Sequence, residues 1–411
     1  MYDCIVVGLG GVGSSAAYHL AREGSDVLGL EQFGPVHSHG SSHGRTRIYR
    51  TAYSEGAVYV PLVRRAQELW LELQAATGEQ IIHPTGGLII GHRTCRMVAG
   101  ALQSAKEHSL RHEVLDAASA RNRFPQFVVG DDEVAVWDPA AGALFPENCI
   151  RAHSAAAVEA GAELHYGERV RTWSASSGTV ALETDRGRYH ARSLVLTAGP
   201  WTRSLTPGLR LPLAVEQQFV FWFESTDPSL TGPKTMPVFI WDRGGEGDAY
   251  GLPDFGDGIK VGSGAGNPVE NPASVDPDPR ERDVEPVRRF VRQSLRGVAP
   301  HETVSVSCLY TNAPDRNFLI GPHPRHPNVV VVSACSGHGF KFASLLGEVI
   351  VPLSRGESPS FDLSLFDVNR FGKPSSSRRR VTDYLPAGRR PPERRRRKGR
   401  ETERKQRRID L

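Results

Sequence analysis

The chain opens on a stretch that leaves its backbone few choices: Asp3-Cys4-Ile5-Val6-Val7-Gly8-Leu9-Gly10-Gly11-Val12-Gly13. The apolar run reads as a strand, and Gly8, Gly10 and Gly13 follow it at G-x-G-x-x-G spacing. Gly8 permits the tight turn. Gly10 lets backbone approach a pyrophosphate, and Gly13 lets the next helix pack on the strand. That helix reads over 14–23, with Ala17, Leu20 and Ala21 on one face, and a second strand over 27–30 ends in Glu31. Glu31 stands 18 residues after Gly13, where its carboxylate can accept bonds from ribose hydroxyls and would repel a 2′-phosphate. Strand, turn, helix and acid make one βαβ unit, and the helix N-terminus supplies N–H groups and a dipole for the anion of a dinucleotide.

Helical spacing recurs over 61–75, near 98–108 and over 147–162, and residues 164–199 alternate as strands, ending in Leu194-Val195-Leu196-Thr197-Ala198-Gly199. Residues 211–300 read as a different layer, with short strands near 218–224 and 237–241, a Pro/Asp-rich loop and a charged helix near 284–295. A buried strand over 328–334, a turn over 335–339 and a helix over 340–353 follow. The expected fold is α/β: a Rossmann-type domain (1–85, 146–210, 301–371) interleaved with a mostly antiparallel α+β substrate domain (86–145, 211–300). FAD is favoured over NAD on three counts. The motif is N-terminal, the T-A-G strand end offers a second backbone approach, and the 335–339 turn opens a helix that can stabilise negative charge on a flavin.

Composition excludes other classes. At 39% hydrophobic and 23% charged the chain is of globular type. No run of about 18 apolar residues exists, so no membrane span is expected, and the early first strand leaves no room for a secretion signal. The cysteines Cys4, Cys95, Cys149, Cys308 and Cys335 are odd in number and lack a CxxC pair. That disfavours a disulfide scaffold or structural zinc, suits a reduced cytoplasmic compartment, and leaves no metal expected. The net charge of +4 is uneven: residues 371–411 hold 16 basic and 5 acidic groups, the rest 34 and 41. The tail, 372–411, has almost nothing apolar to bury and is expected to be disordered. It can attract RNA, DNA or anionic lipid, but without interleaved aromatics or a nucleic-acid motif no such partner is expected.

Several ordered segments carry a resemblance. These are Ser41-Ser42-His43-Gly44-Arg45-Thr46-Arg47-Ile48-Tyr49-Arg50 with Ala52-Tyr53-Ser54-Glu55-Gly56, Cys308-Leu309-Tyr310-Thr311 with Pro314-Asp315, Ser336-Gly337-His338-Gly339-Phe340-Lys341-Phe342-Ala343, and Phe361-Asp362-Leu363 to Arg370-Phe371. Over roughly residues 1–371 the chain resembles the monomeric sarcosine oxidase and N-methyltryptophan oxidase family. The resemblance implies a monomeric FAD oxidase of secondary amino acids, with amino acid and O2 as its partners and imine or formaldehyde and hydrogen peroxide as products. Cys308 matches the cysteine joined by a thioether to the flavin 8α-methyl group, a bond that nearby cations would favour by promoting thiolate. Arg50 and Lys341 match the pair that binds the substrate carboxylate, a natural anion clamp. Arg47 matches a basic residue stacked near the flavin, and Ser42, Gly337, Gly339 and Lys341 fall at its cofactor contacts. Lys260 sits in an apolar, glycine-flanked strand where an ammonium needs a purpose. It matches the lysine that reaches the N5 side through water and promotes reaction with oxygen. Tyr310, His338 and Tyr250 match residues of the substrate cavity, His338 with no duty as a base.

Two positions depart from the family. Cys335 stands where those relatives have no cysteine. Gly264 stands where they carry histidine, four positions after the lysine, which implies a substrate bulkier than sarcosine, N-alkyl or cyclic. Two other readings stay open at this stage. One is a dehydrogenase on the same fold that passes electrons to another acceptor. The other is a nucleic-acid- or membrane-associated protein led by its basic tail.

Overall fold

The computed structural model describes residues 1–371 except 177, 245, 246 and 265. The basic segment 372–411, with its expected disorder, lies outside the described residues.

Five strands run parallel in the order Glu163–Tyr166, Val27–Glu31, Tyr2–Val7, Arg188–Leu196, His326–Ser333. Leu319–His323 pairs antiparallel with the last, and the Val170–Ser176 and Thr179–Thr184 hairpin joins the first half of Arg188–Leu196. These strands are apolar on both faces because both are covered. Val6, Val27, Val195 and Val330 pack with helices Gly11–Arg22, Tyr59–Thr77 and Ala343–Ser354. Ile5, Val7, Leu28, Leu194, Leu196, Val329 and Val331 face the other side. On the first helix the buried stripe includes Ala16, Ala17, Leu20 and Ala21, as its spacing predicts.

A second, nine-stranded sheet runs Asn267–Val269, Ala214–Ser225, Ile259–Ser263, Ala249–Leu252, Val238–Asp242, Gly87–His92, Glu133–Asp138, Glu113–Asp116, with Val298–Asn312 also on Ala214–Ser225. Its ladders are antiparallel apart from the junction of Val238–Asp242 with Gly87–His92. Phe221, Phe223, Phe239 and Trp241 fill its core beneath helix Glu281–Ser294, which buries Val284, Val287, Phe290 and Val291. A small sheet of Arg47–Tyr49, Gly142–Leu144 and Ile82–Pro84 stands beside them.

The boundary expected at 301 falls inside Val298–Asn312. The strand pairs with Ala214–Ser225 from Val298 to Asn312, with register shifts near Phe223, and the chain rejoins the parallel sheet only with Leu319–His323. Breaking at 301 would strand backbone donors and acceptors in mid-ladder.

Candidate active site

A cavity of about 630 Å³ lies along the carboxyl ends of the parallel strands, where ligands bind in open α/β sheets. Its wall runs from Gly8, Gly10 and Glu31, past Ser42, Thr197 and Ala334, to Arg47, Arg50, Tyr250, Lys260, Tyr310, Gly337, His338, Gly339 and Lys341. Gly13 and Cys308, also singled out from sequence, are not on that wall, and Cys308 Sγ stands 3.8 Å from Arg47 Nη2, which is.

At one end the glycine turn has the form its spacing predicts. Gly8 adopts φ +90°, and a Cβ there would stand 2.8 Å from the Thr197 carbonyl oxygen. A Cβ on Gly13 would come 1.8 Å from the Gly8 carbonyl oxygen, so the helix packs closer than any side chain allows. A Cβ on Gly10 would meet only the Ser42 Oγ, at 3.6 Å, and the space before it is open. Gly10 caps the helix without a side-chain bond. The Gly11 N–H donates to Ser42 Oγ at 3.2 Å. Glu31, 5% exposed, accepts from the Leu9 and Phe33 N–H groups at 2.9 and 3.0 Å. It thereby braces the turn; His37 Nε2 also stands 3.4 Å from Oε1, and Oε2 keeps a second lone pair for a hydroxyl. Helix-end amides and a buried carboxylate suit the pyrophosphate and ribose of FAD.

At the other end the basic side chains of Arg47 and Lys260 stand around Cys308. Arg47 donates to the Thr46 and Ser41 carbonyls at 2.9 and 2.8 Å, and its Nη2 lies 3.8 Å from Cys308 Sγ. Burial acts to raise the Cys308 thiol, but the His43 contact, Arg47 and Lys260 bring it down to about 7. Lys260 is 2% exposed, and its Nζ donates to the Gly44 and Thr46 carbonyls, both at 2.7 Å, beside the Trp222 ring. Burial, reinforced by Arg47, pushes its ammonium well below the usual lysine range. Tyr310 and Tyr250 are raised above the usual phenol range, chiefly by burial, and stay protonated.

Arg50 lies over the Tyr53 ring at 4.4 Å; its Nη2 donates to both Glu55 oxygens, at 2.7 and 2.6 Å, and its Nη1 to the Ala52 carbonyl at 3.1 Å. Burial acts to raise the Glu55 carboxyl, but Arg50, His338 and Lys341 hold it near 2. Lys341 shares the Tyr53 ring at 5.4 Å and donates to the His338 carbonyl at 2.6 Å. His338 has both ring nitrogens engaged. Nε2 donates to the Arg316 carbonyl at 3.0 Å, so Nδ1 accepts from the Tyr53 hydroxyl at 2.6 Å. Burial pushes this imidazole down to about 4, and the neutral ring holds the turn in place. Gly264 is part of the cavity wall, and a Cβ there would meet only Asp248 Cβ, at 3.6 Å.

The sequence reading gave no role to Glu55, Tyr53, His43 or Trp222. Tyr53 and Glu55 lie within five residues of Arg50, which was the available signal. His43 and Trp222 reach Cys308 and Lys260 only through the fold. Among the described residues no helix is long and apolar enough to cross a membrane, and no group of three or more His, Cys, Asp or Glu is placed to hold a metal ion.

A family profile described as FAD dependent oxidoreductase matches residues 3–353. The chain is 38% identical to monomeric sarcosine oxidase of Streptomyces avermitilis over 375 residues, covering 90% of this chain and 97% of that one. It is 34% identical to N-methyl-L-tryptophan oxidase of Citrobacter koseri over 372 residues, covering 90% and 99%. Among solved structures, the open form of NikD, an unusual amino acid oxidase essential for nikkomycin biosynthesis, superposes with TM-score 0.80 at 25% identity, covering 89% of this chain and 97% of that one. L-proline dehydrogenase from P. horikoshii shares the fold, with TM-score 0.77 at 20% identity and coverage of 90% and 97%.

Proposed function

The chain belongs to the FAD dependent oxidoreductase family, and from its site we propose an oxidase of secondary amino acids larger than sarcosine, N-alkylated or cyclic. The observation that carries this reading is one continuous cavity, walled by a glycine turn at one end and by Arg50 and Lys341 at the other.

FAD, when bound, would supply the acceptor for a hydride equivalent from the carbon next to the substrate nitrogen; the protein binds, orients and supplies charge. Gly8, Gly10, Gly13, Glu31 and Ser42 would hold the dinucleotide. Arg50 and Lys341 fix the substrate carboxylate beside the Glu55 that holds Arg50 Nη2. Tyr250 and Tyr310 form neutral walls. Lys260, with Nζ fixed by two carbonyls, is placed to favour negative charge developing on dioxygen, and hydrogen peroxide is the second product. Cys308, held near neutrality by Arg47 and Lys260, is the thiol for a thioether to the cofactor. The open wall at Gly264 sets the preference for size.

Steady-state kinetics on sarcosine, N-methyltryptophan, pipecolate and proline, with peroxide measured in air, test the assignment. Bulky or cyclic substrates should give the higher kcat/KM, with one peroxide per imine. A preference for sarcosine overturns the size reading. Turnover without peroxide favours a dehydrogenase, and no turnover on any of the four overturns the function.

A further inference from the structure

The two cations of the clamp are unequally partnered. The Glu55 carboxylate is committed, through both oxygens, to Arg50. Lys341 Nζ donates to the His338 carbonyl and lies over two ring faces, Tyr53 at 5.4 Å and Phe342 at 5.6 Å. An ammonium that is 6% exposed, beside a guanidinium and without a carboxylate in contact, is costly to keep charged. Granting the amino-acid oxidase reading of this site, we infer that Lys341 gains its proton when the substrate's acid group enters, so that binding itself completes the clamp.

Charge bookkeeping supports this. The titratable groups facing Lys341 are Arg50, Tyr53 and Glu55 from the loop after the Arg47–Tyr49 strand and His338 from its own turn. His338 is neutral, its Nε2 donating to a carbonyl, and Tyr53 is raised well above the usual phenol range, mainly by burial. Arg50 and Glu55 cancel. Burial, then Arg50, brings the Lys341 ammonium down to about 7, against a smaller opposing pull from Glu55. A carboxylate arriving within reach restores the charged form. The reacting substrate must in turn expose its nitrogen lone pair, so an amino acid that enters as a zwitterion sheds one N–H proton. One proton leaves the substrate nitrogen and one is gained at Lys341 Nζ. The acid group and the amine are thereby coupled, and above neutral pH little net proton exchange with solvent remains.

The sign follows from linkage. Below pH 7 the free enzyme already carries the Lys341 proton, and affinity for a carboxylate is full. As pH rises above 7, binding must recruit a proton, and affinity falls by up to about tenfold per pH unit until the pKa of the bound form is passed.

The test is calorimetric titration of the holoenzyme with methoxyacetate, which carries the acid but no amine, in buffers of different ionisation enthalpy at about pH 8.5 and about pH 5.5. Wild type should take up close to one proton at the higher pH and almost none at the lower. Lys341→Arg keeps a cation that does not titrate. It should bind with no uptake at either pH and with affinity flat across the range. Lys341→Met should lose both uptake and most of the affinity, which covers the case in which the arginine does not fit. Binding by wild type without uptake, or uptake that persists in both variants and so belongs to Glu55, overturns the inference and leaves the clamp standing. Failure of wild type to bind methoxyacetate at all overturns the clamp and the inference together.

Discussion

Cys308 and Lys260 stand on two strands of the second sheet, Val298–Asn312 and Ile259–Ser263, and meet Arg47 and the Gly44–Thr46 backbone between them. With Cys308→Ser, flavin should pass to the supernatant on acid precipitation, whereas wild type should keep its yellow colour in the pellet. Lys260→Met should slow reoxidation by air by about a hundredfold, the scale for removing one preorganised charge-stabilising group, while anaerobic reduction by substrate changes little. Stopped-flow absorbance separates the two half-reactions, and equal slowing of both would contradict the role. Lys260 was conspicuous as an ammonium between glycines in an apolar strand, while its expected role and that of Cys308 came from the family resemblance. Glu55 was not, because nothing in a one-dimensional spacing says which acid a buried guanidinium will choose.

Elements were read better than their limits. The opening strand, turn and helix could be placed from glycine spacing alone, since backbone contact between Gly13 and Gly8 leaves no other solution. Gly13→Ala should show this directly: its methyl group would stand 1.8 Å from a carbonyl oxygen. The expected outcome is a loss of about 1–3 kcal/mol in stability with little flavin retained, read by thermal unfolding and by the ratio of flavin to protein absorbance. The second sheet was harder. Val298–Asn312 looked divided because it runs from half-buried and exposed positions into mostly buried ones from Cys308 onward, a change of environment within one strand. Short strands such as Asn267–Val269 owe their existence to a neighbour's ladder, which local pattern does not contain.

For the molecule as a whole, acid should be the weak side. His19 and His153 stand in the packed layer beneath the glycine turn, 6.4 Å apart between ring centres, and burial holds His19 near 3 and His153 well below its usual value. Both are lowered relative to an unfolded value of 6.5. Their stabilising contribution is therefore complete above pH 6.5 and lost as pH falls from there toward 3, each adding up to about 1.4 kcal/mol per pH unit. Glu55, lowered to about 2 from 4.5, weakens the fold in the same direction at still lower pH. His153→Phe should flatten the decline in Tm between pH 6.5 and 4, and an unchanged slope would assign it to other groups. The strand bearing Cys308 belongs to one sheet and the glycine turn to the other. A cofactor bonded at the first and gripped at the second would act as a rivet. It would close a loop of roughly 300 residues and hold the halves together much as a crosslink does. Heat or protease should then open unflavinylated molecules first, so the colour of the survivors would report which chains had been stapled.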